Sequence, residues 1–314
     1  MERIDSGGRH DLGSRVGTIL CWIASVVVAA VCIFIIGFLL YQGWHSISWK
    51  FLATDPVASV NEGDAGGIRT PMVGTAILIL GSILLALPLA VGAAIYLAEY
   101  MNERWWITRI VRVGLETLAS VPSVVFGMFG LAVFTLGFFK FLSASGTEGG
   151  SMAFGRSFLV ASIVMAVHIL PFVIKVAEEA IRNIPQSLRQ GALALGMTKW
   201  RTIRKVVLPA AKSGIATAVV LGMGLAAGDT AIVWLTLGGT MTFAVDKWWQ
   251  VGNWLPVLRG AGSTLTTYAY FNSPAGDGNS PGAAFGAAFI LICIVLLFNV
   301  GAVLLFRRND MSGR

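Results

Sequence analysis

The chain has 314 residues, 56% of them apolar and only 12% charged, with a net charge of +7. A typical soluble domain carries about 25% charged residues, and a mean hydropathy of +0.76 leaves too few charges here to cover a soluble surface. Soluble enzymes, disordered chains and collagen-like chains are excluded, which leaves an all-α polytopic membrane protein.

A spanning helix needs about 20 mostly apolar residues. An N-terminal tail at 1–17, with Arg3, Arg9 and Arg15, leads into an apolar stretch too long for a cleavable signal. Span one is predicted at 18–42 and span two at 72–100. Span three covers the charge-free run 117–139 and begins somewhat before it. Span four follows at 157–174, and span five takes the first part of 213–245. Span six lies within 278–306, and 307–314 is a second tail. Six spans put both termini on one side. Seventeen of the 23 lysines and arginines fall on that side and six on the other. The positive-inside rule therefore predicts both termini in the cytoplasm, in a plasma or inner membrane. The basic excess reports topology in a lipid bilayer, and no nucleic-acid partner is implied. Cys21, Cys32 and Cys293 lie in apolar runs without metal-ligand spacing, so packing roles are expected. The outer stretch 240–282 is rich in aromatics (Trp248, Trp249, Trp254, Tyr268, Tyr270, Phe271). It reads as an interfacial belt or as a docking surface for an outer partner.

One cytoplasmic segment is too charged to span and too regular for a random loop: RQGALALGMTKWRTIRKVVLP, residues 189–209. A short helix is expected over 188–195, with Gly196 as a left-handed stop. Thr198 then caps a second helix. Lys199, Arg201, Arg204 and Lys205 take one side of it, and Trp200, Ile203, Val206 and Val207 form an apolar stripe. Pro209 marks the start of span five. Such a pair of short helices suits insertion into a groove on another protein, or a resting place on anionic lipid.

Asp229 stands alone inside a span, where a carboxylate costs roughly 2.5–3.5 kcal/mol on insertion scales. With Thr230 it is a candidate for a translocation path, or for a helix-packing acid. Glu116, Thr117, Pro122 and Ser123 at the start of span three are further path candidates, since proline frees backbone carbonyls in a membrane helix. Glu116 is placed to pair with Arg112, one turn earlier. His168 reads as a hydrogen-bonded packing residue, and Glu178 and Glu179 as solvated charges. No G-x(4)-G-K-[ST], H-E-x-x-H or G-x-S-x-G motif occurs, so no catalytic residue, metal ligand or cofactor is assigned, and uphill transport would draw energy from a partner.

The 189–209 segment resembles the loop of ABC-importer membrane subunits: E-A-A, three residues, Gly, nine residues, then I-x-L-P. Gln190, Gly191 and Ala192 stand at the first three positions, Gly196 at the glycine, and Val206, Leu208 and Pro209 at the last three. Gln190 replaces the Glu and Gly191 the first Ala. Residues 66–100, LETLASVPSVVFGMFGL at 115–131 and the approach to the loop look like permeases of the PstA-type phosphate importers, over about 66–230. GDT at 228–230 stands where that family typically has G-E-T-A-P. Ile232 replaces its Pro, and Leu225 an Arg.

The resemblance implies a type I importer transmembrane domain over 18–306 with a coupling loop at 177–209. Arg189, Gln190, Gly191, Ala192, Leu195, Gly196, Trp200, Leu208 and Pro209 would engage a separate ATPase subunit carrying ATP and Mg. It further implies a second, homologous or identical, permease subunit and an extracytoplasmic solute-binding protein. The implied solute is inorganic phosphate, with a related oxyanion or phosphorus compound as the alternative. A proton-coupled secondary transporter using Asp229 and His168, or a non-transporting scaffold for an ATPase, also fits the residues alone.

Overall fold

A computed structural model describes residues 7–57, 66–101, 105–143, 155–243, 248–278 and 280–311. The elements are α1 (Gly7–Ser46), α2 (Trp49–Ala53), α3 (Arg69–Ile95), α4 (Trp106–Ser120) and α5 (Ser123–Phe134), followed by α6 (Phe158–Arg182) and α7 (Gln186–Ala194). Then come α8 (Lys199–Thr202), α9 (Leu208–Ala210), α10 (Lys212–Gly228), α11 (Ala231–Thr236), α12 (Trp254–Arg259), α13 (Leu265–Asn272) and α14 (Pro281–Met311). Among the described residues there is no β-strand. Among the described residues, four helical stretches are long and apolar enough to cross a membrane, and up to six if each of two bent pairs is one span. The N-terminal tail is helical from Gly7, and α14 runs on through most of the second tail.

Span three is not a single helix. α4 and α5 meet at 97°. Pro122 has no backbone N–H and its ring pushes the preceding residue out of the helical region. Val121 accordingly sits at φ −70°, ψ 127°. Span five is likewise interrupted. α10 ends at Gly228, where Asp229 turns extended at φ −77°, ψ 122°. Its 17 residues reach about 25 Å, short of the roughly 30 Å hydrocarbon layer.

α3, α6 and α10 form the core. Leu78, Ile79, Ala86, Ala90 and Ala94 of α3 are buried against Ala161, Met165, Ile169, Val173 and Ala177 of α6. The four-residue spacing keeps each row on one face, and the alanines let the backbones approach closely. α10 packs on both through Ile215, Ala218, Val219 and Gly222. At the α10–α6 crossing a Cβ on Gly214 would collide with Ala180. Gly214→Val is therefore expected to lower the melting temperature of the purified protein, overpacking costing about 1–3 kcal/mol. An unchanged melting curve would show that the crossing is looser than described.

α1 packs mainly on α14, through Phe38 on Phe285 and Trp44 on Phe289, and its other faces are exposed. All three cysteines are exposed on the protein's own surface, so the packing role expected for them is not what the fold gives. The stretch 240–282 divides. Tyr268 is buried against Phe51, Ile68 and Leu265, and burial pushes its phenol up to about 12. Trp249, Trp254 and Tyr270 stay exposed. α13 is tied to α3 by the Leu265 N–H, which donates to Thr75 Oγ1 at 2.9 Å. At the same end Arg69 and Thr70 donate to the Asp55 carboxylate. Burial alone would raise that carboxyl, but these bonds and the Arg69 charge outweigh it and hold it below its usual value.

Candidate functional site

The loop between α6 and α10 is built largely as its residue pattern predicts. α7 ends in a Schellman motif: Met197 N–H donates to Ala192 O at 3.2 Å and Gly196 N–H to Leu193 O at 2.9 Å, with Gly196 at φ +78°. Thr198 caps α8 by accepting from Arg201 N–H. The helix then widens into one π-helical turn, Ile203–Val207, before α9. Thr202, Ile203 and Val207 are buried, whereas Trp200 faces outward, so the apolar stripe is narrower than expected. Leu188, Leu193, Leu195 and Trp200 are exposed, Leu195 to 85%. Gln190, Gly191, Gly196 and Pro209 are exposed, Leu208 half-buried and Ala192 buried.

This projecting surface stands on a base of ionic contacts. Arg189 donates from Nε to Glu99 Oε1 at 3.0 Å, and both side chains are about nine-tenths buried. Its Nη2 donates to Ile181 O at 2.7 Å and its Nη1 to Ile184 O, which satisfies carbonyls at the end of α6. Lys199 donates to Glu99 O and lies 4.5 Å above the Tyr100 ring. α7 and α8 are thus pinned to the π-helical turn Tyr96–Tyr100 that follows α3. Gly191 has open space around its missing Cβ and an ordinary helical backbone. Gly191→Ala is expected to stabilise α7 by about 1 kcal/mol without disturbing the clamp, readable as slower amide exchange across 186–194.

Glu178 was expected to be solvated, and Arg112 to pair with Glu116. Neither holds. Glu178 is buried, accepting from Arg112 of α4 at 2.7 Å and from Arg182 at 2.8 Å. Packing of α4 on α6 brings Arg112 to this carboxylate, and Glu116 is left exposed. Glu179 is exposed as expected. Glu99 and Glu178 escaped the sequence reading. The available signals were weak: Glu99 closes an apolar run, and Glu178 stands four residues before Arg182.

The path candidates are partly gathered. The breaks at Pro122 and Asp229 lie side by side, because Gly127 lets α5 approach Ala231 and Ile232 closely. A cavity of about 390 Å3 there is lined by Val124, Thr230, Ala231, Trp234, Leu235 and Tyr270. Ser123 and Thr230 are half-buried and Pro122 is exposed. Glu116 and Thr117 stand across the elbow on α4, exposed, with the Thr117 hydroxyl donating to Val113 O. Asp229 Oδ1 accepts from Ile232 N–H at 2.7 Å, so its carboxylate caps α11 from within the break. His168 packs between Phe126 and Phe172, and its buried Nδ1 has no hydrogen-bond partner. No hydrogen bond joins it to Asp229. Asp229→Asn keeps the capping oxygen and loses the charge, while Asp229→Ala loses both. The Ala variant is expected to cost about 1 kcal/mol in thermal stability and the Asn variant little. Comparing their uptake separates charge from cap, and equal melting points would dismiss the cap.

Apolar helices broken beside a polar-edged cavity, with a clamped amphipathic loop beyond one end, define the membrane domain of a transport protein. The chain belongs to the family described as binding-protein-dependent transport system inner membrane components, which matches residues 86–310. It is a permease subunit of an ABC importer. It is 30% identical to the phosphate transport system permease protein PstC of Pasteurella multocida, over 88% of this chain and 86% of that one. Identity is 27% both to the probable ABC transporter permease protein YqgI of Bacillus subtilis (92% and 93% covered) and to the phosphate transport system permease protein PstA 1 of Mycobacterium tuberculosis strain CDC 1551 (95% and 90%). The fold is shared with a bacterial ABC transporter involved in import of the acidic polysaccharide alginate. The TM-score is 0.58 at 16% identity, over 95% of this chain and 99% of that one.

Proposed function

We propose that this permease subunit moves inorganic phosphate inward, with 186–210 as the surface that engages a separate ATPase. The observation that carries the coupling is the clamped loop, whose exposed Leu193, Leu195 and Trp200 rise from a base pinned by Arg189 and Lys199. The solute rests on similarity to PstC and PstA proteins at 27–33% identity. Both termini lie in the cytoplasm, on the side of the 17 basic residues. A second permease subunit completes the path, and a solute-binding protein delivers phosphate at the outer face. ATP and Mg on the ATPase supply the energy. Closing of the ATPase pulls the loop. α6 and α4 carry the movement to the breaks at Pro122 and Asp229, where short half-helices can swing more readily than a continuous span.

Leu225, in place of the Arg usual in phosphate permeases, favours a second reading: a related oxyanion or phosphorus compound. The deciding test is reconstitution with the ATPase and binding protein in proteoliposomes. ATP-dependent phosphate uptake is expected. Uptake that survives without the ATPase would sink the coupling, and uptake of a different solute would sink the choice of phosphate. Absence of any uptake with the ATPase still bound would leave only a scaffold.

A further inference from the structure

Two cavities lie along one side of α6, where α4 and α5 meet it, and the transport reading uses neither. The first is apolar. The 97° elbow turns α5 away from the line of α4 and leaves a groove of about 420 Å3 between the elbow and α6. Leu118, Val121, Phe129 and Val133 line it from the elbow, and Ile163 and Val167 from α6. None of the described residues that line it carries a polar side-chain atom. Phe129 and Val167 are exposed, so the groove opens outward from the protein. It also turns away from the transport path. Val124, at the 390 Å3 cavity beside the breaks, and Phe129 stand about 140° apart around α5. A second subunit that completes the path is therefore expected on the other side of α5.

The second cavity is charged. It holds about 350 Å3 at the loop end of α6, lined by Arg112 of α4 and by Lys175, Glu178, Glu179, Arg182 and Asn183. Arg112 and Arg182 share Glu178, and both stay more than a third exposed. Lys175 is exposed, and among the described residues it has no ion pair.

The two cavities are matched in depth. α6 is one continuous helix past both. Val164, in the groove, and Lys175 are eleven residues apart, as are Val167 and Glu178. Eleven residues make about three turns, which puts each pair on one face about 16 Å apart. One leaflet of the hydrocarbon layer is about 15 Å deep, half of the roughly 30 Å whole. A phospholipid has the same plan, with a phosphate at the surface and an acyl chain reaching one leaflet down. Basic pockets between spans take phospholipid headgroups. An apolar hollow left empty forfeits the dispersion contacts of its lining.

We propose that this side of α6 binds one anionic phospholipid, its phosphate held by Arg112 and Lys175 and one acyl chain lying in the groove beneath the elbow. The lipid comes from the leaflet on the side of the 189–209 loop. It fills the space that the elbow opens, and so holds α4 and α5 to α6 at the bend. The inference needs only that the chain spans a bilayer, and it is independent of the solute carried.

The test uses the whole complex in phosphatidylcholine nanodiscs. They carry a trace of phosphatidylglycerol with a photoreactive diazirine midway along one acyl chain, and the labelled residues are read by mass spectrometry. Label is expected on 118–134 and 163–167, well above that on the exposed faces of α1. The same probe with a phosphatidylcholine headgroup is expected to label the groove about fivefold less, the scale of one basic residue near anionic lipid. Lys175→Gln is expected to lower the phosphatidylglycerol label by a similar factor. Val167→Trp fills the groove, and is expected to remove the label there while leaving that on α1. Co-purification with the ATPase shows that each variant has assembled. Even labelling of groove and α1 overturns the site, because bulk lipid alone would give it. So does equal labelling by the two headgroups, or wild-type labelling in either variant. Loss of the label on adding inorganic phosphate would make the charged cavity a site for the free ion, and would overturn the lipid reading.

Discussion

Replacing Arg189 with alanine is expected to damage the importer more than any other single change outside the transport path. The side chain makes three contacts from a nearly buried position: Glu99 at 3.0 Å, Ile181 O at 2.7 Å and Ile184 O. Its removal leaves the Glu99 carboxylate, itself nine-tenths buried, without a counter-charge, and it uncovers two carbonyls at the end of α6. Breaking a buried pair by deleting one partner costs about 3–5 kcal/mol. The loss falls on the seating of α7 rather than on the α3–α6–α10 core, so the chain should still insert and purify. If the seated loop is what the ATPase grips, its occupancy and hence uptake fall at least a hundredfold, since each 1.4 kcal/mol is a factor of ten. Arg189→Lys keeps the charge but loses the fork, and an intermediate loss is expected. The measurement is ATP-driven uptake beside the amount of ATPase recovered with the permease. Normal values for both in the Ala variant would show that the clamp does not matter to coupling.

The second large effect is expected at Glu178. Its carboxylate is buried between Arg112 and Arg182, and it links α4 ionically to α6. Glu178→Ala frees two arginines that are each more than a third exposed and can turn to water, so the cost is smaller, about 1–3 kcal/mol. Its consequence is different in kind. α7 remains clamped, but α4 loses its ionic hold on the helix from which the loop hangs, while α5 keeps its own packing on that helix. Uptake is expected to fall about tenfold or more while the ATPase stays bound and continues to turn over. Arg112→Ala removes the same α4–α6 pair and should also lower uptake, and the double variant should be no worse than Glu178→Ala, which has already lost that pair. Additive losses would mean that the two residues act separately and that no link runs through them.

These effects fall on residues that the sequence shows unevenly. Arg189 was legible as the residue that opens the 189–209 segment, but its partner Glu99, 90 positions away, was not. A carboxylate at the end of an apolar run looks the same whether it meets water or an arginine. Glu178 shows the same difficulty: one turn of helix relates it to Arg182, yet only the packing of α4 on α6 brings Arg112 to it and takes Arg112 away from Glu116. The breaks were half legible. Pro122 and Asp229 stand out in apolar runs, but a local pattern gives no bend angle, and it was the 97° elbow that divided the third span.

The sequence by itself determined that this chain lies in lipid, roughly where its helices run, and how its loop is punctuated. Those properties depend on composition and on neighbours within four residues: apolar length, the Gly196 stop, the Thr198 cap. The tertiary structure alone decided which charges are paired and that the two breaks lie together. Such facts depend on contacts between residues distant in the chain, and no local rule of charge or period fixes them.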